Sequence, residues 1–215
     1  MENFSNKAGA AIVYSVIETI QSNKDYLSEI DGAIGDGDHG INMNKGFSAC
    51  RDRLSPDESL GSAMYTLGDI LLSEIGGSMG PIYGTFFMEM SDAVENLTDI
   101  DKHAFGKMLE AGLAGIRDLV PTDVGDKTLL DTLVPAVNAF RTAAAGGSDF
   151  GSALVQAAKA AEDGMNSTKD MVAKVGRASR LGERSRGVLD AGATSCCLIL
   201  KAMCETAGRL LEERK

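Results

Sequence analysis

The sequence has no tryptophan, and aromatic residues make up only 5% of its 215 residues. Proline is also scarce, with 4 in the chain, whereas apolar residues account for 44%. A large core is therefore available, but aliphatic residues must build it, and strands favour aromatic and β-branched ones. This composition predicts an all-α fold. Because no Pro- or Ser-rich linker divides the chain, we expect one domain covering residues 1–215.

Basic residues are too few to balance the acidic ones, since 21 Lys and Arg against 31 Asp and Glu give a net charge of −10. Proteins that bind nucleic acid or anionic membranes usually carry the opposite sign. The chain also lacks a run of about 18 apolar residues and a signal-peptide layout. We therefore expect a cytoplasmic protein that binds neither nucleic acid nor membrane. The 4 cysteines show no CxxC spacing, which predicts small buried hydrophobic residues.

Apolar periodicity predicts roughly eight helices, and three glycine-rich breaks interrupt them. The predicted helices cover about 5–24, 42–54, 59–73, the stretch after Pro81 to about 97, 102–119, 129–145, 149–163 and 191–213. The breaks are Asp31–Gly40, Gly76–Pro81 and Arg177–Gly192. Helix connections are usually short and polar, so these unusual breaks are where functional residues are expected.

The first break brings Asp31, Asp36 and Asp38 together within eight residues, with glycines between them. Three carboxylates at such short range repel one another unless a cation compensates them. Oxygen ligands on a compact loop suit Mg²⁺, which completes its shell with water and substrate phosphates. A solvated acidic turn accounts for the composition equally well, because Asp and Gly are favoured in turns.

Three common motifs do not account for this break. Gly35, Gly37 and Gly40 satisfy GxGxxG, but no predicted strand precedes them, as a dinucleotide fingerprint requires. An EF-hand loop that began at any of the three aspartates would lack the glutamate at its last position. A Walker A sequence is absent. A nucleotide site in this chain must therefore use a different phosphate cradle.

The second break places Ser78 and neighbouring backbone N–H groups at the start of a helix, which suits phosphate oxygens. A Gly-Gly turn with an N-capping serine explains the same pattern. In the third break, Arg177 could pair bidentately with a phosphate. We interpret the neighbouring arginines as surface charges; they are Arg180, Arg184 and Arg186.

Two further features complete the candidate chemistry. The segment GDKTLL, residues 125–130, resembles a helix entry that could present an apolar side chain to a base. The only histidines are His39, which lies among the candidate metal ligands, and His103, which we expect to be exposed at a helix start. Neither histidine is placed beside a candidate nucleophile, so covalent catalysis is not expected.

Together these motifs resemble the L subunit of dihydroxyacetone kinase. The segments that carry the resemblance, in order, are IGDGDHGINMNKGF, GGSMGPIYG, GDKTLLDTLVPAV, GRASRLGERS and DAGATS, and they span nearly the whole chain. The resemblance implies a single-domain barrel of eight antiparallel helices with the nucleotide at one end. It also implies two Mg²⁺ ions held by Asp31, Asp36 and Asp38.

The resemblance further implies a set of nucleotide contacts, in which Arg177 stabilises charge on the transferred group and no side chain acts as a nucleophile. The contacts fall on His39, Gly40, Ile41, Asn42, Ser78, Met79, Leu129, Arg177, Asp190, Ala191 and Gly192. The chain departs from the family pattern at Met79, where a phosphate-contacting serine is common. It also departs at Val188-Leu189-Asp190-Ala191-Gly192, where the family usually has His-Gln-Asp-Pro-Gly.

In function, the resemblance implies a subunit that keeps ADP as a bound coenzyme. An M subunit of the phosphotransferase system would rephosphorylate ADP to ATP, and phosphate would pass to dihydroxyacetone held by a K subunit. One alternative is an ATP-dependent subunit of a kinase for another short ketose, such as erythrulose. Another is a regulatory module, because L subunits of this family can contact a transcriptional regulator. Assembly into a homodimer is left open.

Overall fold

The structure is a computed structural model that describes residues 2–214. The described residues form nine α-helices, two short strands and three 3₁₀ helices. The α-helices are α1 Ala10–Ser22, α2 Lys24–Ile34, α3 His39–Arg51, α4 Leu60–Glu74, α5 Met79–Val94, α6 Lys102–Leu119, α7 Leu130–Ala145, α8 Phe150–Ser167 and α9 Ala191–Glu213. The strands are β1 Asn3–Ser5 and β2 Asp99–Asp101, and the 3₁₀ helices are Asn6–Ala8, Thr168–Asp170 and Ala178–Ser185.

Eight of the helices form a closed ring, which confirms the predicted all-α barrel. From α4 to α9 each helix packs against the next one in sequence, and α9 closes the ring on α1. On the other side, α1 contacts α3 and α4, while α3 packs against α4. The short helix α2 braces α3 and α9. Helices joined by short connections pack as antiparallel neighbours, which places alternate connections at opposite ends of the barrel.

The core inside the ring is mainly aliphatic, as the composition predicts. Its few aromatic side chains are grouped; the ring of Phe105 contacts those of Phe140 and Phe150, with centroids 5.4 and 5.6 Å away. All four cysteines are buried and unpaired, which confirms their interpretation as small hydrophobic residues. His103 is exposed in the first turn of α6, as expected. None of the helices in the described residues has the length and apolar character needed to cross a membrane.

Two predictions about the first forty residues were wrong. The first helix begins at Ala10 rather than near residue 5, and a separate helix, α2, follows it. The break predicted for Asp31–Gly40 is also much shorter, since Asp31 lies in the last turn of α2 and Gly40 in the first turn of α3. Helix α2 buries Leu27, Ile30 and Ile34 along one face. Burying this face outweighs the helix penalty of about 1 kcal/mol for Gly32.

The two strands were not predicted, because three residues each are too few to show an alternating pattern. They pair antiparallel with Phe4 opposite Ile100, and both of these side chains are buried. Beside this pair, Arg214 at the C-terminal end of α9 donates to Asp99, with Nη1 2.6 Å from Oδ1. The sheet therefore holds the N-terminal segment at the end of the barrel where α9 finishes.

Candidate functional site

The acidic cluster is assembled by a turn of four residues between α2 and α3. Asp31 comes from the last turn of α2, Asp36 from the turn, and Asp38 from the N-cap position of α3. One carboxylate oxygen from each lies within 4.8 Å of the others. Gly37 has a φ of +77°, which a glycine adopts readily and which reverses the chain. At Gly35 a Cβ atom would overlap the carboxylate of Asp31, so glycine leaves room for that ligand.

The guanidinium of Arg177 contacts this cluster from the third break. Its Nη1 atom pairs with Asp36 and lies 4.0 Å from Oδ2 of Asp38. The side chain is 60% exposed, so the pair is solvated and contributes little stability by itself. The three carboxylates supply the hard oxygen donors that Mg²⁺ prefers, and a cation at that point would relieve their mutual repulsion. The donor set therefore fits magnesium.

A buried hydrogen-bond network holds the cluster against the barrel. The backbone N–H of His39 donates to Oδ2 of Asp31 over 3.2 Å, and Nε2 of His39 lies 2.8 Å from Oγ of Ser195. The hydroxyl of Tyr83 lies 2.7 Å from the same Oγ and donates to the carbonyl of Gly192 over 3.1 Å. Burial lowers the pKa of His39 to about 4, although the nearby Asp31 carboxylate opposes the shift. The neutral imidazole thus ties α3 to α9 at neutral pH.

Beside the cluster a cavity of about 810 Å³ opens at this end of the barrel. Its wall combines the three aspartates with most of the nucleotide contacts expected from the sequence. Those in the wall are His39, Asn42, Ser78, Met79, Leu129, Arg177, Asp190, Ala191 and Gly192. Chain segments that are far apart in the sequence therefore meet at one cavity.

Gly40 and Ile41 are not part of the cavity wall. At Gly40 a Cβ atom would overlap the backbone oxygen of Lys24 and lie 2.8 Å from the backbone nitrogen of Ser28. Gly40 therefore allows α3 to pack tightly against α2. The side chain of Ile41 is 54% exposed, on a part of α3 that faces solvent. The structure thus separates these two positions from the other expected contacts.

The start of α5 supplies a polar rim to the cavity. Ser78 occupies the N-cap position, but its side chain makes no capping hydrogen bond. The capping interpretation of this serine is therefore not supported, and the hydroxyl is available for another partner. Gly77, with φ of +73°, has open space where a side chain would be. The first N–H groups of α5 also lack partners within their own helix, as at any helix N-terminus.

At the start of α9, Asp190 acts as a helix cap. Its Oδ2 atom accepts a hydrogen bond from the Ala193 backbone nitrogen over 2.7 Å, and its own backbone N–H donates to Oγ1 of Thr168 over 3.0 Å. Burial raises the pKa of Asp190 to about 6. Leu129, only 7% exposed, lies beside Gly192 and gives this wall an apolar surface.

Several residues of the site were not singled out from the sequence. Tyr83 and Lys127 line the cavity, and Ser195 supports it from α9. All three lie inside segments that carry the family resemblance, namely GGSMGPIYG, GDKTLLDTLVPAV and DAGATS. Their types gave no chemical signal, however, because a tyrosine, a lysine and a serine near a helix start are common. Residues of the α6–α7 connection also line the cavity; they are Val120, Pro121, Thr122 and Thr128.

The chain, a helical ring with a polar cavity and an acidic cluster at one end, belongs to the DAK2 domain family. The model of the DAK2 domain matches residues 33–205. Within this family the chain is of the DhaL type. It is 43% identical over 191 residues to the ADP-binding subunit DhaL of the PEP-dependent dihydroxyacetone kinase 1 of Listeria innocua, covering 88% of this chain and 90% of that one.

A second relative and a solved structure agree with this assignment. The ADP-binding subunit DhaL of the PEP-dependent dihydroxyacetone kinase of Escherichia coli K12 is 36% identical over 188 residues, covering 86% of this chain and 90% of its own length. The crystal structure of the dihydroxyacetone kinase of C. freundii superposes with a TM-score of 0.70 at 25% identity. That match covers 96% of this chain but 36% of the longer kinase.

Proposed function

We propose that this chain is the ADP- and Mg²⁺-binding phosphotransfer subunit of a cytoplasmic dihydroxyacetone kinase. In this role it receives phosphate from an M-type phosphotransferase-system subunit on bound ADP and passes it to dihydroxyacetone held by a K-type subunit. One observation carries the proposal: the cluster of Asp31, Asp36 and Asp38 lies at a cavity that also contains Arg177 and the start of α5. The DhaL-type relatives support it.

The residues present suit phosphoryl transfer, which needs positioning and charge neutralisation more than a protein nucleophile. The aspartate cluster would hold two Mg²⁺ ions, and bound magnesium supplies neutralisation of polyphosphate charge. The free N–H groups at the start of α5 and the hydroxyl of Ser78 would donate to phosphate oxygens. Arg177, whose guanidinium already lies at the aspartates, would stabilise negative charge on the transferred group.

The opposite wall suits the nucleoside. Leu129 and Ala191 are both buried and apolar, and they lie beside Gly192, where a Cβ atom would come within 3.1 Å of Oδ2 of Asp190. Met79 lies in the wall at the start of α5, where the family often has a serine. We expect the methionine to contact the nucleotide through apolar contacts and Ser78 to supply the hydrogen bond in its place.

The test is the nucleotide content and metal dependence of the purified chain. We expect ADP to survive extensive dialysis, and phosphate transfer to dihydroxyacetone to require added K-type and M-type subunits. The double variant Asp36→Asn, Asp38→Asn should lose both Mg²⁺-dependent ADP binding and transfer while it keeps its helical circular dichroism. Transfer by this variant at the parental rate would remove the basis of the proposal.

The same purification separates the alternatives. Freely exchanging ATP and transfer without an M-type subunit would instead indicate an ATP-dependent subunit acting on a short ketose such as erythrulose. A regulatory module would bind a transcriptional regulator equally well before and after the double substitution, because that contact would not need the metal. Equilibrium sedimentation of the chain alone would show whether it forms a homodimer.

A further inference from the structure

Lys127 is a buried lysine in an unusual backbone conformation. Its side chain is 2% exposed, and its φ of 63° is the only positive value at a non-glycine residue among residues 2–214. A left-handed conformation costs an L-residue roughly 1–2 kcal/mol. A buried ammonium group carries a further cost unless hydrogen bonds satisfy it. Hydrogen bonds in the surrounding structure must therefore offset both costs.

The turn around Lys127 is held by the buried carboxylate of Asp131. Its Oδ1 atom accepts a hydrogen bond from the backbone of Gly125 over 2.6 Å, and its Oδ2 atom accepts one from the backbone of Thr128 over 2.7 Å. These two donors lie on either side of Lys127. The carboxylate therefore closes the turn in the shape that sends the lysine side chain inward.

Inside the protein the ammonium uses all three of its donors on backbone carbonyls. Nζ lies 2.6 Å from the oxygen of Val188, 2.7 Å from that of Ser185 and 3.3 Å from that of Met171. These carbonyls belong to the two ends of one segment, residues 171–188, which we call the arginine loop because it carries Arg177. The lysine thus joins both ends of the loop at its base.

The outer part of the arginine loop is also held from outside. Arg177 pairs with Asp36, and Lys174 donates from its backbone to the oxygen of Asp126 over 3.2 Å and from Nζ to Oδ1 of Asp126 over 3.0 Å. Val175, Gly176 and Arg177 are exposed, and no atom lies within 4 Å of where a side chain would begin at Gly176 or Gly182. At the base, by contrast, the backbone of Ala173 donates to Oγ of Ser185 over 2.9 Å. The position of the outer part therefore depends on how the base is held as well as on these outer contacts.

We propose that Lys127 is a positioning residue whose ammonium closes the base of the arginine loop and so holds Arg177 beside the aspartate cluster. What Arg177 does once it is held there rests on the proposed function. The closure itself is a property of the chain without any ligand. Although Lys127 lines the cavity, its ammonium already donates to three backbone carbonyls and has no donor left for a phosphate.

Hydrogen exchange of the free protein tests the closure. In Lys127→Met, which keeps the length of the side chain but has no donor, we expect amide exchange in residues 171–188 to rise at least roughly tenfold. That is the effect of losing about one charge-assisted hydrogen bond. Exchange in α9 should stay unchanged. The matched control is Lys169→Met, an exposed lysine just before the loop, which should behave like the wild type.

Wild-type exchange in the arginine loop of Lys127→Met would overturn the proposal. If that variant does not fold, Lys127→Gln decides the question. Its amide keeps two donors, so amide exchange in the loop should be faster than in the wild type by less than roughly tenfold. Wild-type exchange in the loop of Lys127→Gln would then overturn the proposal in the same way.

Phosphate transfer separates positioning from general stability. We expect Lys127→Met to lower the transfer rate roughly 100-fold, since a misplacement of about 1 Å can cost that much. The KM for Mg²⁺-ADP should change by less than roughly threefold, because Arg177 acts on the transferred group. Equal losses in rate and in KM would contradict the positioning role. If the wild type transfers no phosphate, the proposed function fails, while the exchange experiment still decides the role of Lys127.

Discussion

Two features of its surroundings have opposite effects on the protonation of the Asp190 carboxyl group. As the N-cap of α9 it accepts a hydrogen bond from Ala193, which favours the charged form. Its burial beside the cavity favours the neutral form, and burial dominates, so that its pKa rises from 3.8 to about 6. The positive charge of Lys127 lowers this pKa, but by less than burial raises it. The folded state therefore binds a proton at Asp190 more tightly than the unfolded chain does.

This difference makes one contribution to stability depend on pH. Because the folded-state pKa is raised, the contribution of Asp190 to the free energy of unfolding decreases as the pH rises from about 4 to 6. The variant Asp190→Asn cannot titrate, and its amide oxygen can still cap α9. We expect the stability of the variant relative to the wild type to be about 1 kcal/mol lower at pH 5 than at pH 7. Urea unfolding at the two pH values measures this, and a constant difference would contradict it.

Glycines at two other positions give opposite predictions for the same substitution. Gly40→Ala should lower the free energy of unfolding by about 2 kcal/mol, because the added methyl group overlaps the backbone of α2. Gly208→Ala should raise it by about 1 kcal/mol, because it removes a glycine from α9 where nothing lies within 4 Å. Denaturant unfolding of both variants provides the comparison. Equal effects would mean that contact with α2 does not require glycine at position 40.

At the scale of elements, two helix starts show how a similar position can serve stability or binding. Asp101 caps α6 by accepting a hydrogen bond from Ala104 over 2.8 Å, whereas Ser78 at the start of α5 makes no such bond. Helix α6 therefore uses its N-cap side chain to satisfy its own backbone. Helix α5 instead leaves its first backbone N–H groups available at the cavity.

Alanine substitutions should separate these two uses. Asp101→Ala should cost about 1 kcal/mol of stability and leave the affinity for Mg²⁺-ADP unchanged. Ser78→Ala should leave stability within about 0.5 kcal/mol and weaken Mg²⁺-ADP binding roughly tenfold, through one lost hydrogen bond to a charged phosphate. Thermal unfolding and titration calorimetry on both variants would check this. A serine variant that loses stability but keeps its affinity would reverse the assignment.

The elements that could be predicted from sequence are those with a long, uninterrupted apolar period. The predicted bounds 102–119 and 191–213 agree with α6 and α9. Helix α2 could not be recognised, because its last turn carries Asp31 and Gly32, which favour turns when considered by themselves. Only the packing of Leu27, Ile30 and Ile34 against the barrel decides its conformation, and such tertiary contacts are not visible locally.

The site was predictable to the extent that its chemistry is concentrated in single segments. The three aspartates stand close together in sequence, so their cluster could be expected, and the structure brings them together. The pairing of Arg177 with Asp36 was not predicted, because the third break suggested only a phosphate as the partner of this arginine. The supporting residues Lys127, Tyr83 and Ser195 act through long-range hydrogen bonds, which no local pattern indicates.

At the scale of the whole molecule, the cavity wall draws on segments from α2 to α9, and one continuous core lies beneath it. A ligand in the cavity should therefore stabilise the chain as a unit. With free Mg²⁺-ADP at 100 times its dissociation constant, we expect the free energy of unfolding to rise by about 2.7 kcal/mol. The transitions seen by circular dichroism and tyrosine fluorescence should shift together. Two separate transitions, only one of them shifted, would contradict the single domain predicted for residues 1–215.

The contact between Arg214 and Asp99 has a practical consequence for handling the protein. Helix α9 begins at the cavity and continues for 23 residues, about 34 Å, before it reaches this contact and the neighbouring strand β1. An affinity handle, a fluorescent label or a surface anchor attached near Arg214 or near β1 would lie at the end of the barrel opposite the cavity. Immobilised molecules would then present their cavity to the solution, where partner proteins could reach it without obstruction.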